Sequence, residues 1–176
     1  EIEQIGSEKQ IEEAYYWKAL CKWKKGNLQV SMDELYSLLS NSSSKSILSK
    51  CHLSLAEISK ELSYQDSSLS HLKKAAKFTQ DRDEKGVIYG RLAEMAFELN
   101  QYDIAKDGYS NVIAHSLAKE KIENAHLQIL KILRIQKEYR LASRKIKALL
   151  SDDKFKRISG NLELELVNLY LSLIHI

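Results

Sequence analysis

The sequence contains no proline and only six glycines among its 176 residues. Turn-rich β folds use both residue types at their tight connections, so this composition disfavours such folds and favours long helices. Its two cysteines, Cys21 and Cys51, provide neither a disulfide framework nor the paired spacing of a zinc site. We expect both thiols to be free and buried.

Long apolar runs are missing as well. None reaches the roughly 18 residues that a membrane-spanning helix needs, so we expect no direct membrane insertion of this segment. Neither sign of charge is in large excess, because the sequence has 27 Lys and Arg residues and 24 Asp and Glu residues. This near balance predicts no nucleic-acid partner.

A period of 37 residues runs through the sequence. One position of the repeat is small or apolar throughout, and a second carries small residues where two helix backbones approach closely. Two further positions are apolar, and at a fifth position three of the four residues are compatible with a turn. In the same order, these positions hold Ala19, Ala56, Ala93, Leu130 and Val167; Ser31, Ser68, Ala105 and Ala142; Leu35, Leu72, Tyr109 and Ile146; Leu39, Ala76, Ile113 and Leu150; and Gly26, Ser63, Asn100 and Lys137.

Each repeat is predicted to form two helices around a short turn, because its apolar residues follow helical spacing. Ser7 with Gln10, Asp81 with Glu84, the Ser42 to Ser44 cluster and Asp152 are candidate helix caps. The first helices are expected at 8–25, 45–62, 82–99, 118–136 and 154–173, and the second helices at 28–40, 66–79, 102–115 and 139–151.

The repeat positions resemble the tetratricopeptide repeat in two stretches, Arg91–Ile113 and His126–Leu150. The residues that carry the resemblance are Leu92, Ala93, Asn100, Tyr102, Ala105 and Tyr109 in the first and Tyr139, Ala142 and Ile146 in the second. It implies an all-α superhelix, a solenoid of about four helical hairpins plus one terminal helix. The expected units are 8–43, 44–80, 81–117, 118–153 and a partial 154–176, forming a single array over 1–176. Another α-solenoid family is the alternative.

The resemblance also implies a scaffold that binds a peptide or a partner helix in a concave groove lined by the first helices. Aromatic side chains beside charges of both signs suit such a ligand, although Trp23 and Phe97 could equally pack against a neighbouring helix. The groove residues are expected to be Tyr16, Leu20, Trp23, Lys24, Leu53, Glu57, Lys60, Arg91, Glu94, Phe97, Leu127, Lys131 and Arg134.

Catalytic motifs are absent from the sequence, which has no glycine-rich phosphate loop, no Cys-x-x-Cys pair and no His-Glu-x-x-His. His52 and His126 occupy one position of the repeat, two repeats apart, and equivalent positions so far apart cannot share one ion. We therefore predict a protein that is not an enzyme and has no catalytic residue, no cofactor and no metal.

A second interpretation is a sensing or dimerising region of a larger regulatory protein, such as a signalling kinase or a transcription regulator. The first residue is Glu1 rather than methionine, from which we expect a fragment of a longer chain. The opening Ala14 to Trp17 resembles repeats of bacterial envelope lipoproteins, so bacterial cytoplasm and envelope both stay open as locations.

At the other end, Gly160 to Leu173 reads as a first helix without its partner, with Val167 and Tyr170 continuing the apolar positions. Ile174 to Ile176 then replace a turn and a second helix. We expect the stripe of Leu162, Leu166, Leu169 and Leu173 to be covered on one side only, favouring self-association through this uncapped helix.

Overall fold

A computed structural model describes residues 8–174 of the chain. Over that range the backbone forms helices joined by short links, and it forms no strand. No helix there is long and apolar enough to cross a membrane. The helices are α1 (Glu8–Lys24), α2 (Leu28–Asn41), α3 (Lys45–Glu61), α4 (Gln65–Phe78), α5 (Arg82–Glu98), α6 (Tyr102–His115), α7 (Lys119–Ile135), α8 (Tyr139–Leu150) and α9 (Ser159–Ile174), with a 3₁₀ helix at Asp153–Ile158.

The predicted period is confirmed by the lengths and starts of the helices. The first helices α1, α3, α5 and α7 have 17 residues each, and the second helices α2, α4 and α6 have 14 each. The predicted bounds of α1 to α8 differ from the observed ones by no more than one residue. The all-α fold of paired helices is therefore the predicted one.

Every turn between the two helices of a hairpin carries one residue with left-handed backbone. The φ angles are 83° at Gly26, 62° at Ser63, 58° at Asn100 and 60° at Lys137. In each case the next amide donates back to a carbonyl five residues earlier, as from Glu138 N to Leu133 O at 2.8 Å. This bond satisfies a carbonyl that the end of the helix leaves free. The turn position of the repeat is thus confirmed at all four places.

Small residues occur where the two helices of a hairpin touch. Ser31 Oγ donates to Ala19 O at 2.8 Å, and 37 residues later Ser68 Oγ donates to Ala56 O at 2.8 Å. In the third repeat, a Cβ added at Gly108 would lie 2.8 Å from Ala93 Cβ. The close approach of the backbones leaves no space there for a larger side chain.

Contacts between Cα atoms divide the chain into an N-terminal unit, residues 1–92, and a C-terminal unit, residues 93–176. Each unit has a buried apolar cluster of its own. The cluster of the N-terminal unit contains Tyr16, Ala19, Met32, Leu35, Leu38, Ile47, Cys51, Leu55 and Ile58, and that of the C-terminal unit contains Leu130, Ile146, Leu149, Ile158 and Leu162.

The start of the last helix was predicted wrongly. Residues 153–158 form a 3₁₀ helix, and α9 begins only at Ser159. Asp152 Oδ1 accepts a hydrogen bond from Lys154 N at 3.0 Å. Asp152 is thus the N-cap of this 3₁₀ helix, and the backbone bond from Phe155 N to Asp152 O at 2.9 Å spans the three residues of a 3₁₀ turn.

The exposed apolar residues of α9 are not those of the predicted stripe. Val167 and Tyr170 are exposed, at 52% and 48%, although the equivalent residues of earlier repeats are mostly buried. Leu162 and Leu169 of the expected stripe are buried, and Leu166 is half-buried. The side chain of Leu173 and residues 175–176 lie outside the described residues.

Two of the smaller predictions were wrong in part. Cys51 is buried but Cys21 is exposed, and both thiols are free. Asp81 Oδ1 caps α5 by accepting from Glu84 N at 2.7 Å. Ser44 is the N-cap of α3, yet its side chain makes no cap bond. Ser7 of the first predicted cap lies outside the described residues.

Candidate partner-binding surface

Successive first helices lie side by side in each unit. In the N-terminal unit, Lys50 Nζ of α3 is 2.9 Å from Glu13 Oε1 of α1. In the C-terminal unit, Arg134 Nε of α7 is 3.4 Å from Glu165 Oε2 of α9. On each of these helices, side chains three or four residues apart lie on one face. The equivalent side chains of the neighbouring first helix continue that face.

Trp23 is the aromatic centre of the face in the N-terminal unit. Its ring is half-buried against the apolar cluster, and its Nε1 donates to Glu61 Oε2 at 3.0 Å. Lys24 Nζ lies 4.9 Å from the ring centroid, within range of a cation–π contact. The ring is fixed by these neighbours and keeps part of its surface open to solvent.

The other predicted residues of this unit surround Trp23 or continue along α3. Leu20 is half-buried against the same cluster, and Leu53 is half-buried on α3. Glu57 forms an ion pair with Arg91 of α5, and Lys60 is exposed. We call the following set the N-terminal face: Leu20, Trp23, Lys24, Leu53, Glu57, Lys60, Glu61 and Arg91.

Phe97 is the corresponding aromatic centre in the C-terminal unit. Lys131 Nζ lies 4.9 Å from its ring centroid, and the edge of Tyr102 packs 5.8 Å from it. Leu127 is half-buried against the apolar cluster, and Glu94 is exposed. We call the following set the C-terminal face: Glu94, Phe97, Leu127, Lys131, Arg134 and Glu165.

Tyr16 was expected in the groove, and the structure places it in the core instead. Its side chain is 8% exposed, and its hydroxyl is 3.0 Å from Ser54 Oγ on α3. Burial raises the pKa of this phenol above its ordinary value. Tyr16 fixes α1 against α3 and is not available to a partner.

Two residues of these faces, Glu61 and Glu165, were not among the groove residues predicted from the repeat. Glu61 lies four residues after Glu57, so the helical spacing already puts both carboxylates on one side of α3. Glu165 contacts Arg134 of α7. A search for opposite charges on adjacent first helices would have found Glu165, and helical spacing from Glu57 would have found Glu61.

The faces hold no cluster of titratable side chains arranged for metal binding. Among the described residues, no group of three or more His, Cys, Asp and Glu side chains could hold a metal ion. His52 is buried and hydrogen-bonded to His71, and the ring of His126 packs edge-on against Phe155 at 5.0 Å. What the two faces offer chemically is aromatic surface flanked by ammonium and carboxylate groups.

No family model matches the sequence, and no curated protein matches it. Two solved structures of MamA are similar in fold. The first has a TM-score of 0.58 at 15% identity, over 92% of this chain and 81% of that one. The second has a TM-score of 0.51 at 15% identity, over 89% of this chain and 92% of that one. The fold is a TPR-like helical repeat. At this identity the likeness concerns the fold alone.

Proposed function

We propose that the chain is a tetratricopeptide repeat array that binds a peptide or a helix of a protein partner on its first-helix faces, without catalysis. The observation that carries the proposal is the same in both units. Each face centres on a partly buried aromatic ring, Trp23 or Phe97, with a lysine ammonium 4.9 Å above it. Rigid aromatic anchors flanked by charge are typical of binding hot spots.

The charges on these faces favour a protein over RNA. Glu57 is paired with Arg91 and Glu165 with Arg134, and Glu61 and Glu94 add two further carboxylates to the faces. Phosphate backbones need grooves in which cations are in excess. A peptide with both apolar and charged side chains can match aromatic, cationic and anionic groups at once.

A peptide-library selection on the immobilised whole chain tests this proposal. We expect the selected peptides to shift NMR amide signals on the two faces, and Trp23→Ala or Phe97→Ala to weaken their binding about tenfold or more. Trp17→Ala is the matched control, because Trp17 is 59% exposed and lies outside both faces. Peptides that lose affinity to Trp17→Ala as strongly as to both other variants would contradict the proposal.

A second proposal concerns α9, whose open side is apolar. Leu164, Val167, Tyr170 and Leu171 are between 48% and 59% exposed, and their spacing puts them on one side of the helix. At the Val167 position, Ala19, Ala56 and Ala93 are buried where a second helix packs closely. We infer that a second copy covers this side of α9, as a dimerising region of a larger regulatory protein would require.

Sedimentation of the whole chain over a concentration series tests the α9 proposal. We expect dimers that dissociate when Val167→Glu or Leu171→Glu places a charge in the apolar side. Glu163→Gln, on an exposed residue of the same helix, should leave the dimer intact. A wild-type chain that stays monomeric throughout the series would refute this second proposal.

A further inference from the structure

A cleft lies between α1 and α2 in the first repeat, away from the residues of the N-terminal face. Its volume is about 550 Å³, within the range of sites that hold small ligands or inserted side chains. Ile11, Tyr15 and Leu38 supply its apolar lining, and Glu34 and Asn41 supply polar groups. Tyr15 is 55% exposed.

The repeat shows what fills the equivalent cleft of the second hairpin. There His52, His71 and Phe78 occupy the positions of Tyr15, Glu34 and Asn41, each 37 residues later. His52 is stacked on Phe78 with ring centroids 5.7 Å apart, and its Nδ1 is 3.0 Å from His71 Nδ1. The first repeat lacks the phenyl ring because Asn41 replaces Phe78, and its cleft stays open.

One carboxylate oxygen of Glu34, in this open cleft, lacks a hydrogen-bond donor within the part of the chain that the structure describes. Its Oε1 accepts from Lys22 Nζ at 2.6 Å, and Lys18 Nζ lies 3.5 Å from the same atom. Its Oε2 is screened from solvent and has no hydrogen-bond partner among the described residues. An occupant that brings a hydroxyl or an amine to Oε2 would satisfy this oxygen.

The second hairpin also shows which side chain reaches this position. Tyr36 extends from α2 to His71, the equivalent of Glu34, with its hydroxyl 3.1 Å from Nε2 and the rings 5.9 Å apart. A tyrosine brought to the first cleft along the same route would place an aromatic ring over the opening. Its hydroxyl would then donate to Glu34 Oε2.

Another copy of a whole hairpin does not fit this surface. Ile47, Cys51 and Leu55 of α3 are buried in the apolar cluster that also contains residues of α2. The equivalent residues of α1 are Gln10, Ala14 and Lys18, all exposed. These three positions of α1 offer a packed helix less apolar surface than their equivalents on α3, which favours a short segment as the occupant. From the geometry we infer that this cleft binds a tyrosine side chain presented by a peptide segment of a partner protein.

The test is an NMR titration of the whole chain with two capped pentapeptides, Ala-Ala-Tyr-Ala-Ala and Ala-Ala-Phe-Ala-Ala. The amide signals of Tyr15, Glu34 and Asn41 are expected to shift with the tyrosine peptide. The phenylalanine peptide lacks the hydroxyl and should bind about tenfold more weakly, because a hydrogen bond to a carboxylate is lost. Equal affinity for the two peptides overturns the inference.

Three variants locate the site. Asn41→Phe restores the ring found in the second repeat and should abolish the shifts, while Asn41→Ala should retain them, with circular dichroism confirming that both fold. Glu34→Leu should make the two peptides bind alike. Binding that survives Asn41→Phe, or shifts confined to the two first-helix faces, overturns the inference.

Two further controls concern the first-helix faces and the start of the chain. Trp23→Ala and Phe97→Ala should leave the tyrosine peptide bound, so failure of the proposed function and failure of this inference are distinguishable. The first seven residues contain no aromatic residue, so they cannot supply a tyrosine side chain. If a chain starting at residue 8 binds the tyrosine peptide much more tightly than the whole chain, those residues are the occupant and the inference is wrong.

Discussion

His52 and His71 form a buried pair at the residue scale of this fold. Both side chains are at most 6% exposed, and their Nδ1 atoms are 3.0 Å apart. One Nδ1 must carry the proton and the other must accept it, so the contact requires the accepting ring to be neutral and is lost when both rings are protonated. Burial, the neighbouring His71 and Lys74 lower the pKa of His52 from 6.5 to about 4, and burial and Lys74 also lower that of His71.

This pair predicts a loss of stability in mild acid. Because the pKa of His52 is lower in the folded state, the unfolded chain binds more protons between pH 6.5 and about 4. The free energy of unfolding should therefore fall as the pH is lowered through this window, by about 3 kcal/mol from His52 at the acid limit. Thermal unfolding recorded as a function of pH measures it.

His52→Tyr is the variant that isolates this effect, because tyrosine occupies the same repeat position at Tyr15 and Tyr89. It should reduce the fall in stability between pH 6.5 and 4 by the contribution of His52, while the contribution of His71 stays. His115→Gln, in the C-terminal unit, serves as the control and should keep the wild-type pH profile. An unchanged profile in His52→Tyr would show that other groups cause the acid sensitivity.

Gly108 is a second residue whose role is specific. In Gly108→Ala the new Cβ would lie 2.8 Å from Ala93 Cβ and 3.1 Å from its Cα. We expect a net loss of about 1 kcal/mol, because overpacking outweighs the gain in helix propensity. Gly160→Ala is the matched control, with no heavy atom within 4 Å, and should not destabilise the chain. Denaturant unfolding of both variants decides it.

At the scale of the elements, the turn inside each hairpin is the feature that the sequence predicts best. Gly26 and Asn100 suit a left-handed backbone, and Ser63 and Lys137 adopt it without being typical of it. Periodicity predicts the turn at Lys137, where residue type does not. The 3₁₀ helix at Asp153–Ile158 escaped prediction because it interrupts the repeat.

Lys137→Gly should therefore stabilise the fourth hairpin. A lysine with φ of 60° strains the backbone, and glycine removes about 1 kcal/mol of that strain. Gly26→Ala, at φ of 83°, should destabilise the first hairpin by a similar amount. Hydrogen exchange of the flanking helices reports each change locally. Destabilisation by Lys137→Gly, or stabilisation by Gly26→Ala, would mean that left-handed backbone does not govern the turns.

For the whole molecule, the repeat predicts which residues are equivalent, but it does not predict which of them are buried by a neighbouring helix. Cys21 occupies the position of Ile58, and Val167 that of Ala93, yet Cys21 and Val167 are exposed while their equivalents are buried. They lie on α1 and α9, the first and the last of the described first helices in chain order. The groove prediction failed at Tyr16 because it also took no account of a neighbouring helix. The hydroxyl of Tyr16 is hydrogen-bonded to Ser54 of α3, and the side chain is buried between α1 and α3.

One 37-residue register alternates first and second helices along the chain, and the proposed binding faces depend on it. Residue-specific NMR backbone shifts and couplings of the whole chain test this register most directly. We predict helical signals over α1 to α9, broken by positive φ at Gly26, Ser63, Asn100 and Lys137. Continuous helix through any of these residues, or strand signals in the first helices, would contradict the register and the binding faces built on it.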